Sequence, residues 1–94
     1  MLVIEKKSDE ELKFIGRLDA SQAEKVAKHL SDKEETVTID MSDLDYISSM
    51  GLNILVNTYK RLHENGHTVK LKNMNNHIRD IFKFTRLDQL FSVE

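Results

Sequence analysis

The stretch T-V-T-I-D-M-S-D-L-D-Y-I-S-S-M-G-L, residues 36–52, decides the fold because it runs from a strand pattern straight into a helix start. Between Val37 and Met41 apolar residues alternate with polar ones, which indicates a strand with one buried face. After Ser48 and Ser49 the spacing of apolar residues changes from every second residue to the three- and four-residue spacing of a helix. One face of this predicted helix carries Leu52, Leu55, Tyr59 and Leu62.

The N-terminal part of the chain predicts a hairpin followed by a helix. Apolar runs at Leu2–Ile4 and around Phe14 are separated by S-D-E-E, which suits a turn between two antiparallel strands. From Asp19 onward the apolar spacing becomes i, i+3, i+4, i+7, which is that of one helix face. The residues on this face are Ala23, Val26, Ala27 and Leu30.

The C-terminal part continues the alternation of strands and helices. Asn65–Gly66 is a helix stop, because glycine readily takes the positive φ with which many helices end. The segment T-V-K-L-K alternates like a strand, and Ile78, Ile81 and Phe82 mark a third helix. The tail L-D-Q-L-F-S-V is apolar enough to dock on the rest of the domain.

The element order is ββαβαβα, which predicts an α/β fold. We expect one mixed, mostly parallel β-sheet of four to five strands, packed with about three to four α-helices. Strands that alternate with helices pair in parallel through right-handed crossovers, and the first two strands add an antiparallel hairpin. A chain of 94 residues has room for one domain, so we assign residues 1–94 to a single domain.

Charge and composition exclude several classes of protein. The 14 basic and 16 acidic side chains are well mixed and give a net charge of −2, which does not suit a nucleic-acid-binding surface. The absence of cysteine excludes disulfides and thiolate metal sites. No apolar run reaches the ~18–20 residues that span a bilayer, and the N-terminus does not resemble a signal peptide. We therefore expect a cytoplasmic protein that does not insert into membranes.

The segment His63–Glu64–Asn65–Gly66–His67 matches the zinc-binding pattern H-E-x-x-H. On a continuous helix this spacing puts two imidazoles on one face, with the glutamate as a general base. The Asn-Gly pair instead predicts that the helix stops inside the segment, which separates His67 from the face of His63. We therefore expect two surface histidines around a helix end, no metal or other cofactor, and no enzymatic activity.

The serine pair Ser48 and Ser49 has two interpretations. A serine at either position can cap the helix, because its hydroxyl accepts a hydrogen bond from a first-turn N–H group. The same helix start also suits a phosphate, since it presents free N–H groups and the positive end of the helix dipole. Gly51 leaves the first-turn backbone unobstructed, and Met50 is an apolar residue that we expect to be exposed. The residues alone leave both roles open.

Three segments of the chain together resemble a known family. They are G-R-L-D-A-S-Q-A-E-K-V, T-V-T-I-D-M-S-D-L-D-Y-I-S-S-M-G-L-N-I-L-V and F-K-F-T-R-L-D-Q-L-F. They look like a STAS domain (sulfate transporter and anti-sigma factor antagonist) of the anti-anti-sigma factor type. The resemblance extends from Leu2 to Val93, and its most specific part is D-L-D-Y-I followed by S-S-M-G-L.

The resemblance implies a protein that switches partners. In this family the unphosphorylated protein binds an anti-sigma factor that is also a serine kinase, and so releases a sigma factor. Phosphorylation of a serine at the start of the second helix prevents binding, and a metal-dependent serine phosphatase of the PP2C type reverses it. The family pattern D-S-x-G-L places the acceptor two residues before the glycine, which is Ser49 here. Ser48 replaces the aspartate of that pattern and is the lesser candidate for phosphorylation.

The resemblance also implies a partner-binding surface around the acceptor serine. Asp19 matches the aspartate of the family's G-x-L-D pattern, in a loop that the fold brings near the phosphorylation site. The same residue is a suitable N-cap for the first helix. The expected partner-binding residues are Asp19, Ser21, Ser48, Ser49, Met50, Gly51 and Asn53.

A second hypothesis keeps the fold and changes the role. The chain would then be a STAS subunit that binds one partner constitutively, as a scaffold in a lipid-transport or signalling complex. Replacing Ser49 by alanine distinguishes the two hypotheses, since it locks a switch in its binding state and changes a scaffold little.

Overall fold

The computed structural model describes residues 2–94 and contains, within this range, five strands and three α-helices. The strands are β1 (Leu2–Lys6), β2 (Glu11–Leu18), β3 (Val37–Ile47), β4 (Val69–Lys72) and β5 (Ser92–Val93). The helices are α1 (Ala23–Ser31), α2 (Ser49–His63) and α3 (Asn76–Phe84), and the 3-10 turns Ala20–Gln22 and Leu87–Gln89 precede α1 and β5. Nowhere in the described range is a helix both long enough and apolar enough to cross a membrane.

The five strands form one sheet in chain order, from β1 to β5. β1 pairs antiparallel with β2, whereas the pairs β2–β3, β3–β4 and β4–β5 are parallel. Parallel neighbours need a crossover connection, and α1, α2 and α3 supply the three crossovers. The predicted order ββαβαβα and the mixed, mostly parallel sheet are therefore confirmed, with β5 as a short addition.

Alternation along the strands places one face of the sheet against the helices. The other face carries ion pairs, with Lys13 Nζ 2.9 Å from Asp43 Oδ2 and Lys72 Nζ 2.9 Å from Glu11 Oε2. The residues that meet in the core are Leu12, Phe14, Leu18, Val37, Ile39, Met41, Val69 and Leu71 from the strands, and Val26, Leu30, Leu55, Leu62, Ile78 and Phe82 from the helices.

The buried face of α2 is rotated slightly from the predicted one. Leu52 and Tyr59, two of the four residues predicted for this face, are only half-buried. Gly51 and Thr58 lie on the buried line instead, and the hydrophobic pattern missed them because small or polar residues add little to it. The buried line consists of Gly51, Leu55, Thr58 and Leu62.

The strand β3 is longer than its alternating pattern suggests. It continues through S-D-L-D-Y-I to Ile47, with two register shifts against β2. Such bulges change which face a side chain takes, and here they leave Leu44 and Ile47 buried. The C-terminal tail docks as expected, since Phe91 is buried and its ring centroid lies 5.8 Å from that of Phe82.

Two phenylalanines of α3 provide a matched test of this core. Phe82 is fully buried, whereas Phe84 is 92% exposed. We expect Phe82→Ala to lower the free energy of unfolding by about 3–5 kcal/mol, because it removes buried apolar surface and leaves a cavity. Phe84→Ala should change the same quantity by less than ~0.5 kcal/mol. Urea unfolding followed by circular dichroism measures both, and equal losses would contradict the assigned burial.

Candidate functional site

The helix α2 begins at the serine pair, and the two hydroxyls have different environments. Ser48 is the N-cap, with an extended backbone and an Oγ that accepts a hydrogen bond from the Gly51 N–H at 3.2 Å. This bond satisfies one of the N–H groups that a helix start leaves free. Ser49 is the first helical residue and is exposed, so its hydroxyl is not needed for the cap. The capping role that the sequence left open therefore belongs to Ser48.

A backbone hydrogen bond joins the start of α2 to the end of β2. The Ser48 N–H donates to the Leu18 carbonyl at 2.9 Å, one residue beyond the pairing of Leu18 with Ile47. The bond holds the first turn of α2 against the carboxyl-terminal ends of β2 and β3. Because Asp19 follows Leu18 and Ser49 follows Ser48, the loop of Asp19 lies beside the candidate phosphorylation site.

Gly51 packs inward, in contrast to the expectation that it leaves the backbone open to a partner. It is buried, and a Cβ at this position would lie 2.8 Å from Leu18 Cγ and 3.0 Å from Ile47 Cγ1. These distances are far shorter than the ~3.5–4.0 Å at which carbon atoms pack favourably. Gly51 therefore allows α2 to pack closely against the sheet, and it is not part of the exposed surface.

Asp19 caps the turn that leads into α1, as expected. Its Oδ1 accepts hydrogen bonds from the Ser21 hydroxyl at 2.6 Å and from the Ser21 N–H at 3.0 Å, and its own N–H donates to Gln22 Oε1 at 3.3 Å. The bonds from Ser21 stabilise the carboxylate and hold the pKa of Asp19 below its ordinary value. Asp19 therefore carries a negative charge at neutral pH, in the loop that directly follows Leu18.

The other expected partner-binding residues lie on the same surface. Met50 is 48% exposed, which confirms that an apolar side chain faces solvent directly after Ser49. Asn53 is exposed one turn later on α2, and Ser21 is exposed at the start of the neighbouring turn. The structure thus brings the two predicted segments together, although their role toward a partner stays a prediction.

Sequence reasoning missed the residues that hold this surface in place. Leu18 and Ile47 end adjacent strands and form the floor under Gly51. Arg17 precedes Leu18 on β2, and Tyr46 precedes Ile47 on β3. The Arg17 guanidinium lies over the Tyr46 ring, 4.3 Å from its centroid. The sequence offered one signal for them, which is their position. Arg17 and Leu18 directly precede Asp19, and Tyr46 and Ile47 directly precede Ser48.

The H-E-x-x-H segment has the geometry of a helix end, as predicted. α2 ends at His63, and Gly66 has a φ of 79°, so His67 lies beyond the helix. The His63 ring stacks on Tyr59, with the centroids 5.2 Å apart. Among residues 2–94, no group of three His, Cys, Asp or Glu side chains is arranged to hold a metal ion.

Comparison with known protein sequences identifies a family and a relative of the chain. The sequence profile of the STAS domain matches residues 3–94 of the chain. The anti-sigma-B factor antagonist of Bacillus subtilis (strain 168) is 23% identical over 94 residues, which cover 97% of this chain and 86% of that protein.

Solved structures with the same fold include anti-sigma factor antagonists and a chain of an enzyme–activator complex. The anti-sigma factor antagonist SpoIIAA in its unphosphorylated form gives a TM-score of 0.75 at 18% identity, covering 100% of this chain and 88% of that one. Bacillus SpoIIAA in the phosphorylated form gives 0.72 at 18% identity, covering 100% and 91%. A chain in the complex of diguanylate cyclase SiaD with its activator SiaC from Pseudomonas aeruginosa gives 0.63 at 16% identity, covering 99% and 88%. At these identities the likeness establishes the fold alone.

The two serines should respond differently to replacement by alanine. Ser48→Ala removes the N-cap of α2 and is expected to lower the free energy of unfolding by about 1 kcal/mol. Ser49→Ala should change it by less than ~0.5 kcal/mol, because the exposed hydroxyl does not cap the helix. Urea unfolding of both variants tests the assignment, and a larger loss for Ser49→Ala would make Ser49 the cap.

The contribution of Asp19 should depend on pH in a defined direction. A carboxylate with a lowered folded-state pKa stabilises the fold above its unfolded pKa of about 3.9, and loses that effect as the pH falls through the folded pKa. The difference in free energy of unfolding between the native protein and Asp19→Ala should therefore be constant above about pH 5 and shrink below about pH 4. Urea unfolding at stepped pH measures this difference, and growth on acidification would contradict the assigned hydrogen bonds.

Proposed function

The chain belongs to the STAS domain family, and from that premise we propose that it is an anti-sigma factor antagonist whose binding to its partner is controlled by phosphorylation of Ser49. The unphosphorylated form binds an anti-sigma factor that is also a serine kinase. The phosphorylated form does not bind it, and a serine phosphatase of the PP2C type restores the binding form. The protein acts by binding rather than by catalysis, and this role places it in the cytoplasm.

One observation carries the proposal: the capping role is taken by Ser48, which leaves Ser49 exposed and free to be modified. A kinase can therefore reach the Ser49 hydroxyl without breaking the N-cap of α2. The acceptor stands two residues before Gly51, in the position of the family pattern. Ser48 is the lesser candidate, since its Oγ is already bonded to the Gly51 N–H and the residue is half-buried.

The electrostatics of the helix start support a switch rather than an unfolding event. A phosphate on Ser49 adds about −1.5 to −2 charges at neutral pH. The free N–H groups and the dipole at the start of α2 favour a negative group there, so the fold tolerates it. The surface changes more, because the new charge roughly doubles the net negative charge of a chain of net charge −2. A partner that fits the neutral hydroxyl then meets a doubly charged group in its place.

The relatives support this function at the level of their family. The Bacillus subtilis relative is an anti-sigma-B factor antagonist, and SpoIIAA is an anti-sigma factor antagonist with an unphosphorylated and a phosphorylated form. The neighbour in the SiaD–SiaC complex favours a second candidate. In that case the chain binds and controls an enzyme other than an anti-sigma factor, or serves as a constitutive scaffold subunit.

The proposal is tested by incubating the purified chain with ATP and the serine kinases of its own cell, followed by intact-mass and peptide mass spectrometry. We expect one added phosphate on Ser49. The kinase that adds it should bind the unmodified chain and Ser49→Ala, and should bind Ser49→Asp at least about tenfold more weakly. Ser48→Ala serves as the matched control, because it alters the neighbouring hydroxyl and leaves the acceptor in place.

Two results would change the conclusion. A phosphate that maps to Ser48 would move the switch to the capping residue. A partner that binds the native chain and Ser49→Asp equally, with no phosphate added by any kinase, would make the chain a constitutive binding subunit.

A further inference from the structure

The step from Asn65 to Gly66 lies at the end of α2 opposite to the serine pair, and the proposed function gives it no role. The protein contains six asparagines, and Asn65 is the only one that is followed by glycine. Glycine has no side chain to shield its own amide nitrogen. That nitrogen therefore approaches the side-chain carbonyl carbon of the preceding asparagine more readily than the nitrogen of a larger residue does.

The Asn65 side chain is exposed and untethered. Within the described part of the chain it makes no hydrogen bond, whereas the Asn75 side chain donates to the Leu44 carbonyl at 2.9 Å and accepts from the Ile78 N–H at 2.9 Å. Gly66 is exposed as well, and a Cβ on it would meet no atom within 4 Å. The amide of Asn65 is therefore free to rotate toward the backbone of Gly66.

The backbone of this turn has the hydrogen bonds of a Schellman helix end. The Gly66 N–H donates to the His63 carbonyl at 3.0 Å, and the His67 N–H donates to the Leu62 carbonyl at 3.0 Å, with a φ of 79° at Gly66. Attack by the Gly66 nitrogen requires that its own bond to His63 opens. This bond belongs to the exposed last turn of α2, and terminal turns open at little cost in free energy.

The other five asparagines are less suited to this attack. Asn53 and Asn57 lie inside α2, where the N–H of the following residue is bonded within the helix. Asn73 and Asn75 are held by side-chain hydrogen bonds, and Asn76 begins α3. Each of the five is followed by a residue with a side chain. They therefore serve as internal controls for Asn65 in the same molecule.

We propose that Asn65 is a site of spontaneous deamidation, which changes the charge and the backbone of the turn between α2 and β4. The Gly66 nitrogen loses its proton to hydroxide and attacks the side-chain carbonyl carbon of Asn65. A new C–N bond closes a succinimide ring, and the side-chain nitrogen takes up a proton and leaves as ammonia. Water then adds to either carbonyl carbon of the ring and breaks its bond to the ring nitrogen, which yields aspartate or isoaspartate.

The isoaspartate product changes the turn more than the aspartate product does. It adds a carbon atom to the main chain before Gly66, inside the loop that the bond from the His67 N–H to the Leu62 carbonyl closes. The next N–H, that of Thr68, donates to Thr36 Oγ1 at 3.1 Å beside the start of β4. We therefore expect the end of α2 to loosen, with faster hydrogen exchange at the amides of His67 and Thr68.

The test incubates the purified chain in mildly alkaline buffer made with heavy-oxygen water, because loss of the proton from the Gly66 nitrogen favours the attack. Ion-exchange chromatography detects the added negative charge, peptide mass spectrometry locates the labelled carboxylate, and an isoaspartyl methyltransferase reports isoaspartate. Asn65→Gln is the matched control, since it keeps the amide and closes the larger ring far more slowly. Hydrogen exchange on the separated product measures the change in the turn.

We expect Asn65 to lose its amide with uptake of heavy oxygen while the other five asparagines keep theirs, and Asn65→Gln to stay unchanged. Retention of the Asn65 amide in the folded chain, with its loss in guanidinium chloride, would show that the turn protects the residue and would overturn the proposal. Equal loss at another asparagine would overturn the selectivity, and unchanged exchange at His67 in the isoaspartate product would overturn the loosening. None of these outcomes depends on the phosphorylation of Ser49.

Discussion

The hydrogen bond from the Ser48 N–H to the Leu18 carbonyl is the constraint on which the site depends. It joins the end of one strand to the start of α2, so that two segments thirty residues apart in sequence form one surface. The close approach of Gly51 to Leu18 and Ile47 requires the same geometry, because a side chain at Gly51 would hold the helix away from the sheet. The contacts that hold the site together are therefore those of its buried floor, formed by Leu18 and Ile47.

This floor allows the two adjacent serines to serve different purposes. Ser48 is held by its backbone N–H and by its Oγ, and it stabilises the helix. Ser49 does not cap the helix, and its own hydroxyl is exposed at the positive end of the helix dipole. A capping hydroxyl and an exposed one can thus stand next to each other because the backbone turns from extended to helical between them.

The replacement of the family's aspartate by Ser48 leaves the start of α2 less negative than the family pattern. Asp19 supplies a carboxylate from the neighbouring turn, held in its charged form by the hydrogen bonds from Ser21. The part of α2 from Ser49 to Tyr59 contains no acidic or basic residue.

The sequence by itself determined the element order, the mixed parallel sheet and the family, because strand and helix periods are local properties and the D-L-D-Y-I and S-S-M-G-L segments are specific. It also predicted the helix stop at Gly66, since that depends on one residue's backbone freedom. Only the tertiary structure decided which serine caps α2, that Gly51 faces inward, and that Ala27 of α1 and Asn57 of α2 line the same groove. The inward position of Gly51 and the shared groove depend on contacts between residues distant in sequence, and the bond from the Ser48 N–H to Leu18 holds the start of α2 in place. No local pattern records such contacts.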